Sequence, residues 1–227
     1  MDEPKVRPAA ELTLEQQLEL LQDQIRELQA ENRSLREQAY IDPLTGMYNR
    51  RGFEKAVAPL LATLPRKREQ NGEERRSGYR RVVSVLFLDI DHFHRLNEIY
   101  RHRGGDQILQ QTRDAIYAKI AREGVDVVLR YGGEEIVVVY SGYTATELIR
   151  DRLRNPATGF AQFGFTAKLA LAGGETREAE ITMSGGAADY VPGEPLDDTI
   201  ARANEAMHAA KRKGRNRIFK APYPKSR

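Results

Sequence analysis

A β-hairpin signal in the middle of the chain sets the class of fold. Two runs rich in β-branched residues, Val127–Arg130 and Ile136–Tyr140, lie on either side of a Gly-Gly pair that is followed by Glu134 and Glu135. This arrangement predicts two antiparallel strands joined by a tight turn. The turn would present two adjacent carboxylates, which suit hard divalent cations with phosphates as the other ligands. A solvated turn with two surface glutamates explains this segment alone equally well.

The composition is that of a soluble protein with one globular domain and some additional chain. The 227 residues are 40% hydrophobic and 30% charged, with a formal net charge of +3. There is no cysteine, which excludes disulfides, thiolate metal sites and thiol nucleophiles. The longest apolar stretch, residues 82–88, is too short to span a bilayer, and no apolar signal region opens the chain. These features predict a cytoplasmic protein without a membrane span.

The N-terminal region carries a heptad seam, in which apolar residues and one asparagine are separated by alternating steps of four and three: Leu14, Leu18, Leu21, Ile25, Leu28, Asn32 and Leu35. Leucine at the d positions with a single asparagine at an a position is typical of a parallel dimeric coiled coil. A lone amphipathic helix is the alternative, although such a helix normally has a wider apolar face. Because residues 1–13 contain only Lys5 and Arg7 as basic residues, a DNA-binding zipper is disfavoured. We therefore predict a homodimer and no nucleic-acid partner.

Downstream of the seam, strand-like and helix-like patterns alternate. Pro43 and Gly46 end the first helix in a turn, and the polar, basic stretch 65–81 is best interpreted as a solvated loop. Residues 82–88 are continuously apolar, which predicts a strand buried on both faces. Further patterns predict helices near 49–61, 93–100, 106–120, 144–153 and 196–213, and strands near 165–172 and 180–188. The order indicates an α+β sandwich in which helices flank a mainly antiparallel sheet.

Charged residues at the ends of these elements predict a metal and phosphate site. Asp89 stands where the buried strand leaves the core, and a charge there is costly unless it is paired or bound to metal. If that strand lies beside the hairpin, Asp89 shares one rim of the sheet with Glu134 and Glu135. Three carboxylates at one rim fit two-metal nucleotidyl transfer, whereas the alternative has them facing separate patches of solvent. Lys211 and Arg215, four residues apart, suit a phosphate or simply complement a helix dipole.

Five collinear segments carry recognisable motifs: Asp42-Pro43-Leu44-Thr45-Gly46, Asp89-Ile90-Asp91-His92-Phe93, Arg130-Tyr131-Gly132-Gly133-Glu134-Glu135, Ile181–Ala187 and Ala206–Arg217. Together they resemble the GGDEF diguanylate cyclase family, with Gly-Gly-Glu-Glu-Ile as a variant of its signature. The resemblance extends from about Asp42 to Phe219.

The resemblance implies an activity and a metal site. Members of this family condense two GTP molecules into cyclic di-GMP and two pyrophosphates, on a fold similar to polymerase palms, and act in bacterial signalling. The implied cofactors are two Mg²⁺ or Mn²⁺ ions per half-site. Their implied ligands are Asp89, the Ile90 carbonyl, Glu134 and Glu135, and Glu134 is also the implied general base.

The resemblance also implies a set of substrate contacts. Asn97 and Asp106 would bind the guanine base, whose edge offers donors and acceptors that suit a carboxamide and a carboxylate. His102 would line the substrate, and Lys211 and Arg215 would hold the triphosphate.

Four positions depart from the family pattern. His94 stands where the family has a lysine near the transferring phosphate, and Glu98, Arg101 and Ile136 replace an aspartate, a glycine and a phenylalanine. An imidazole at His94 would stabilise phosphate charge less well, so the alternative function is an inactive GGDEF domain that binds GTP or a protein. The retained metal, guanine and triphosphate positions favour an active enzyme.

The predicted organisation is an N-terminal tail over 1–13, a coiled-coil helix over 14–41, a GGDEF catalytic domain over 42–221 and a C-terminal tail over 222–227. Because each half-site would hold one GTP, two domains must meet face to face, and the seam would supply their local concentration. No sensor domain is visible within the chain, and a sensor domain upstream of residue 1 stays an open alternative.

A product-inhibition site is expected to be weak. Many family members carry an Arg-x-x-Asp motif just before the signature hairpin. The aspartate corresponds to Asp126, but the arginine position is Glu123, and Arg122 lies one residue away. Because a shift of one residue turns a helical side chain by about 100°, we predict no tight binding of product there.

Overall fold

The computed structural model describes residues 13–62, 64, 82–154 and 161–224. The chain divides into two compact units, Met1–Ala39 and Tyr40–Arg227. The basic stretch 65–81, for which the sequence predicts a solvated loop, lies outside the described residues, as do residues 1–12 and 225–227 of the predicted tails. The predicted domain boundary after residue 41 stays a prediction.

Helix α1 spans Leu14–Tyr40, as the heptad pattern predicts. It begins with a reciprocal cap, in which the Thr13 hydroxyl accepts the N–H of Gln16 at 3.3 Å and the Gln16 carboxamide accepts the N–H of Thr13 at 3.0 Å. The described apolar residues of the seam are 52–75% exposed: Leu14, Leu18, Leu21, Ile25, Leu28 and Leu35. The side chain of Asn32 lies outside the described residues. Along the described chain, no helix combines the length and apolar character that a membrane span requires.

The second unit contains six strands and four further helices within its described residues. Its elements are α2 (Arg50–Ala62), β1 (Val83–Ile90), α3 (Phe93–Lys119), β2 (Val127–Arg130), β3 (Glu135–Ser141), α4 (Ala145–Leu148), β4 (Phe163–Ala170), β5 (Thr176–Asp189), α5 (Leu196–Arg212) and β6 (Ile218–Lys220). A π-helical turn, Ile149–Leu153, continues α4.

The strands form one sheet in the order β2-β3-β1-β5-β4, and every neighbouring pair in this order is antiparallel. The short strand β6 adds a parallel pairing to β5. The predicted hairpin is confirmed as β2 and β3, and the predicted class, a mainly antiparallel sheet flanked by helices, is correct. Strand β6 was not predicted, because three residues are too few to show a period.

Strand β1 is buried on both faces, as its continuous apolar run predicts. Leu86, Leu88 and Ile90 join the core under α3 and α4, while Val85 and Phe87 join the core under α2 and α5. The alternation follows from the two-residue period of a strand. Because β1 lies between β3 and β5 in the sheet, both neighbouring strands hold its last residues in position at the rim of the sheet.

Glutamines of α3 cover the outer edge of the sheet at β4. The Gln111 carboxamide donates to Lys168 O and accepts from Lys168 N, both at 2.9 Å. Gln107 makes the same pair of bonds with Ala170, at 3.1 and 2.8 Å. Each carboxamide therefore satisfies one backbone donor and one acceptor that an edge strand would otherwise leave free.

Candidate active site

The sheet register places Asp89 opposite Glu135. Strands β1 and β3 are antiparallel, and these two residues are Cα partners at the end of their pairing. Asp89 is only 5% exposed, whereas Glu134 and Glu135 are partly exposed on the hairpin. The rim that the sequence predicts for the three carboxylates is therefore formed by this register.

Negative charge accumulates at this rim. Burial raises the pKa of Asp89; Lys211 offsets part of that rise, and the charges of Glu134 and Asp91 add to it. Burial likewise raises the pKa of Glu135, with further increases from the charges of Asp89 and Glu134. The carboxylates are thus close enough to disfavour each other's ionised form.

Lys211 supplies the counter-charge at this rim. Its Nζ lies 2.7 Å from Asp89 Oδ2, and the two side chains are 25% and 7% exposed. Helix α5 packs closely enough on β5 that a Cβ at Gly186 would collide with the backbone of Ala203 and Met207. The absence of a side chain at Gly186 therefore lets α5 approach the sheet and bring Lys211 to Asp89.

The carboxylates fit a hard divalent cation by their chemistry. Within the part of the chain that the structure describes, no group of three or more His, Cys, Asp or Glu side chains is arranged to hold a metal ion, and Asp89 pairs with Lys211. The donors are nevertheless carboxylate oxygens, which Mg²⁺ and Mn²⁺ prefer. A cation would also offset the repulsion that raises the pKa of Asp89 and Glu135. By the chemistry of their donors, though not by their present arrangement, the residues at the rim therefore suit the predicted metal.

The hairpin tip is tied to the segment before α2 by Arg130, which sequence analysis quoted in a motif without giving it a role. The Arg130 guanidinium donates to Gly133 O from Nε at 3.1 Å and from Nη2 at 3.0 Å, and its Nη1 donates to Asp42 Oδ2 at 3.1 Å. Asp42 also accepts the N–H of Thr45 at 2.9 Å. Although burial alone would raise the pKa of Asp42, the bonds from Thr45 and Arg130 hold it below its ordinary value.

The predicted guanine contacts lie on the two halves of α3. The helix is interrupted at Arg101, whose φ of 62° and ψ of 176° are not helical, so the two predicted helices become two segments of one element. Beyond the break, Gly105 packs so closely on Asn97 that a Cβ there would collide with Asn97 Oδ1. The kink thus brings Asn97 beside the residue that precedes Asp106. His102 and Asp106 are both exposed.

The other predicted site residues are more dispersed. His94 is 90% exposed, and its Nε2 lies 3.2 Å from Glu98 Oε1, so its imidazole faces along the surface of α3. Ile90 ends β1 opposite Met183, and Arg215 follows α5 in a left-handed conformation with φ of 60°. Ile136 is fully buried, as expected of a branched apolar residue in the signature's last position.

Sequence analysis gave His208 no role, although it belongs to this cluster. It lies on α5 three residues before Lys211, and its charge lowers the pKa of Glu135. The spacing of one helical turn between His208 and Lys211 is the sequence signal that could have placed both on one face.

A comparison with protein families is consistent with this arrangement. Residues 39–217 match the family model described as diguanylate cyclase, GGDEF domain. The match includes the hairpin, the rim of carboxylates and helix α5.

Curated relatives share this region. The chain is 29% identical to diguanylate cyclase VdcA of Vibrio cholerae over 91% of its own length and 54% of VdcA. It is 31% identical to diguanylate cyclase DgcS of Shewanella oneidensis over 87% of its own length and 57% of DgcS. The chain therefore spans little more than half the length of these two relatives.

A solved structure extends the likeness to the N-terminal helix. The coiled coil and GGDEF domain of DgcB from Caulobacter crescentus, crystallised in complex with c-di-GMP, superposes with a TM-score of 0.66 at 26% identity, and the match covers 92% of this chain and 100% of that one. By the family match and the shared fold, the chain belongs to the GGDEF family of diguanylate cyclase domains.

Proposed function

We propose that this chain is a diguanylate cyclase that condenses two GTP molecules into cyclic di-GMP and two pyrophosphates. The observation that carries the proposal is the Asp89–Glu135 register, which gathers buried and partly buried carboxylates at one rim with Lys211 against Asp89. The carboxylates of this rim can bind a hard metal ion, and the ammonium of Lys211 can bind a phosphate. The relatives named diguanylate cyclase support the same activity.

The proposed metal site uses Asp89, the Ile90 carbonyl, Glu134 and Glu135, with two Mg²⁺ or Mn²⁺ ions per half-site. Bound ions of this kind neutralise phosphate charge and acidify a hydroxyl. In this proposal Glu134 accepts the proton of the attacking 3′-hydroxyl. Its partial exposure at the hairpin leaves it accessible to a substrate.

The proposed substrate site extends from this rim along two helices. Asn97 and Asp106 would bind the guanine edge, and the close packing of Asn97 on Gly105 supports their acting together. His102, which is exposed directly after the break at Arg101, would line the substrate. Lys211 and Arg215 would hold the triphosphate, since Lys211 already lies against the carboxylates where phosphate and metal would meet.

The activity is tested directly by incubating the purified protein with GTP and Mg²⁺ or Mn²⁺, followed by chromatography for cyclic di-GMP. We expect product from the wild type and none from Glu134→Gln, which should fold normally because Glu134 lies outside the core. Glu178→Gln, at an exposed glutamate on β5, is the matched control and should retain full activity. Undiminished activity of Glu134→Gln would show that the metal site is misplaced.

A second candidate function is an inactive domain that binds GTP or a protein partner. It is favoured by His94, which stands where the family has a lysine. The exposed ring of His94 pairs with Glu98, so it does not offer the transferring phosphate the cation that the lysine would supply. GTP binding by calorimetry, with no product at any concentration of either metal, would support this function over the cyclase.

We also propose that the heptad seam of α1 forms a parallel homodimer that brings two half-sites together. The exposed apolar side chains of the seam support this, because they lie where a partner helix would cover them. The double variant Leu21→Glu with Leu28→Glu should be a monomer by light scattering and should have low activity in dilute protein. Leu20→Glu is the matched control, since Leu20 is similarly exposed but lies off the seam.

Removing residues 1–38 should have the same effect as the paired glutamates. If the truncated protein dimerised as tightly as the full chain, the dimer interface would lie outside α1.

A further inference from the structure

Asp91 is a buried carboxylate that the proposed chemistry does not use. It follows β1 directly and is 5% exposed. Its Oδ1 accepts the Ser184 hydroxyl at 2.6 Å, and its Oδ2 accepts the Thr182 hydroxyl at 2.8 Å. Its Oδ2 also accepts the backbone N–H of Asn216 at 2.9 Å. Both carboxylate oxygens are therefore engaged by the protein itself.

These bonds join three parts of the fold. Thr182 and Ser184 belong to β5, and Asn216 lies in the turn after α5. The backbone N–H of Asp91 also donates to Thr182 O at 2.9 Å, which fixes the carboxylate relative to β5. Asp91 consequently connects the end of β1 to the turn that carries Arg215.

That turn has an unusual backbone. Arg215 and Asn216 are consecutive non-glycine residues with φ of 60° and 46°. The left-handed region is unfavourable for an L-residue, although less so for asparagine, so surrounding contacts must hold such a turn in place. The Arg215 N–H is held by Ala210 O at 3.1 Å, and the Asn216 N–H is held by Asp91.

We propose that Asp91 is a positioning residue that holds the left-handed turn after α5 and thereby directs Arg215 toward the triphosphate of the nucleotide. The inference rests on the proposed function, because that function assigns Arg215 to the triphosphate. Asp91 acts through the backbone of Asn216, since both of its carboxylate oxygens already accept hydrogen bonds from the protein.

The experiment measures how nucleotide affinity depends on Asp91. Calorimetric titrations would use 3′-deoxy-GTP, which lacks the attacking hydroxyl and cannot condense, and GMP, which lacks the outer phosphates. We expect Asp91→Ala to weaken binding of 3′-deoxy-GTP by about ten-fold or more, the range expected when a hydrogen bond to a charged group is removed. Affinity for GMP should change by less than about two-fold, since the residues proposed to bind guanine lie on α3.

Two further variants separate positioning from general stability. Asp91→Asn should retain most of the affinity, because its carboxamide oxygen still accepts from Asn216 and its nitrogen donates to the Ser184 hydroxyl. Ser184→Ala removes one bond to Asp91 and leaves the bond to Asn216, so it should bind both nucleotides like the wild type. In an Arg215→Ala background, Asp91→Ala should add no further loss of 3′-deoxy-GTP affinity.

The outcomes are distinct. The inference would be overturned if Asp91→Ala weakened the binding of 3′-deoxy-GTP and of GMP by the same factor. It would also be overturned if Ser184→Ala weakened 3′-deoxy-GTP binding as much as Asp91→Ala does. Either result would show a merely structural role. If Asp91→Ala does not fold, Asp91→Ser replaces it, since its shorter side chain keeps a hydroxyl for β5 and withdraws from Asn216. A wild type that binds 3′-deoxy-GTP no better than GMP would overturn the proposed triphosphate site, and this inference with it.

Discussion

The ammonium of Lys211 lies 2.7 Å from Oδ2 of Asp89, at the rim of the sheet where β1 ends. The pair explains how a nearly buried aspartate is tolerated beside two glutamates: burial raises its pKa, and the lysine offsets part of that rise. The same lysine is the residue that we propose for the triphosphate. When a nucleotide and its metal bind, the ion pair would therefore be broken: Lys211 would contact the triphosphate and Asp89 would contact the metal.

Replacing Lys211 with methionine tests this exchange. We expect the variant to melt at a lower temperature without metal, because a buried charge that loses its partner typically costs about 3 kcal/mol or more. Added Mg²⁺ should then raise its melting temperature more than that of the wild type, because the cation need not displace an ammonium. Lys213→Met, at an exposed basic residue near the same helix end, is the control. Equal metal-induced shifts in all three proteins would contradict a metal site at Asp89.

Arg101 occupies a backbone conformation that favours glycine. Its φ of 62° and ψ of 176° lie in a region that is essentially restricted to glycine, and the family has a glycine at this position. Arg101→Gly should therefore increase the free energy of unfolding by about 1 kcal/mol, measured by urea titration. Arg103→Gly, at an exposed residue of the same helix, should be destabilising instead. Destabilisation by Arg101→Gly would show that the arginine side chain makes a compensating contribution.

His94→Lys should raise turnover. The family has a lysine at this position, where a cation can stabilise charge on the transferring phosphate. A lysine stays charged at about pH 8 and presents a compact ammonium to the phosphate. The kcat of both proteins at that pH is the measurement, and Arg95→Lys on the neighbouring exposed position is the control. An equal or lower kcat would indicate that His94, which pairs with Glu98, is suited to its own surroundings.

Cyclic di-GMP should not bind tightly beside Asp126. The Asp126 side chain has no exposed surface and accepts bonds from Arg122 Nε at 2.9 Å and Nη2 at 2.7 Å. It also accepts the N–H of Ser141 at 3.3 Å. Asp126 is thus occupied internally, and Glu123 would repel an anionic product. Calorimetric titration with cyclic di-GMP should show no saturable binding in the micromolar range; tight binding that Asp126→Ala abolishes would overturn this expectation.

The link between Asp42 and Arg130 should make stability depend on pH. Because the folded pKa of Asp42 lies below its ordinary value of 3.8, its ionised form stabilises the fold above that value, and this contribution is lost as the pH falls through the folded pKa. Asp42→Asn should therefore be less stable than the wild type by about 1–2 kcal/mol at about pH 7. The difference should shrink as the pH falls below 3.8 and should be lost once the pH lies well below the folded pKa.

Urea unfolding at neutral and at low pH measures this effect. Glu54→Gln, at an exposed residue of α2, is the control and should show little difference at either pH. A difference between Asp42→Asn and the wild type that persists unchanged at low pH would mean that the amide itself disturbs the turn at Thr45.

Local patterns in the amino-acid sequence were sufficient to predict several elements of this protein. The β-branched runs around Gly132 and Gly133 specified the hairpin, the continuous apolar run specified the buried β1, and the heptad spacing specified α1. Each of these signals is a short period or a turn preference, and neighbouring residues alone produce it. The motifs around Asp89 and Glu134 likewise indicated the family, which the comparison then established.

Which of the charged residues contact one another depends on the folded arrangement of the elements. The pairing of Asp89 with Lys211, of Asp42 with Arg130 and of Asp91 with the Asn216 N–H joins segments far apart in the chain. Such contacts depend on sheet register and on the depth at which α5 packs over Gly186, and no local period encodes either. The short parallel pairing of β6 with β5 also joins distant segments, so no local pattern predicts it. The direction of the His94 ring was likewise not predictable, because side-chain direction depends on the surrounding structure.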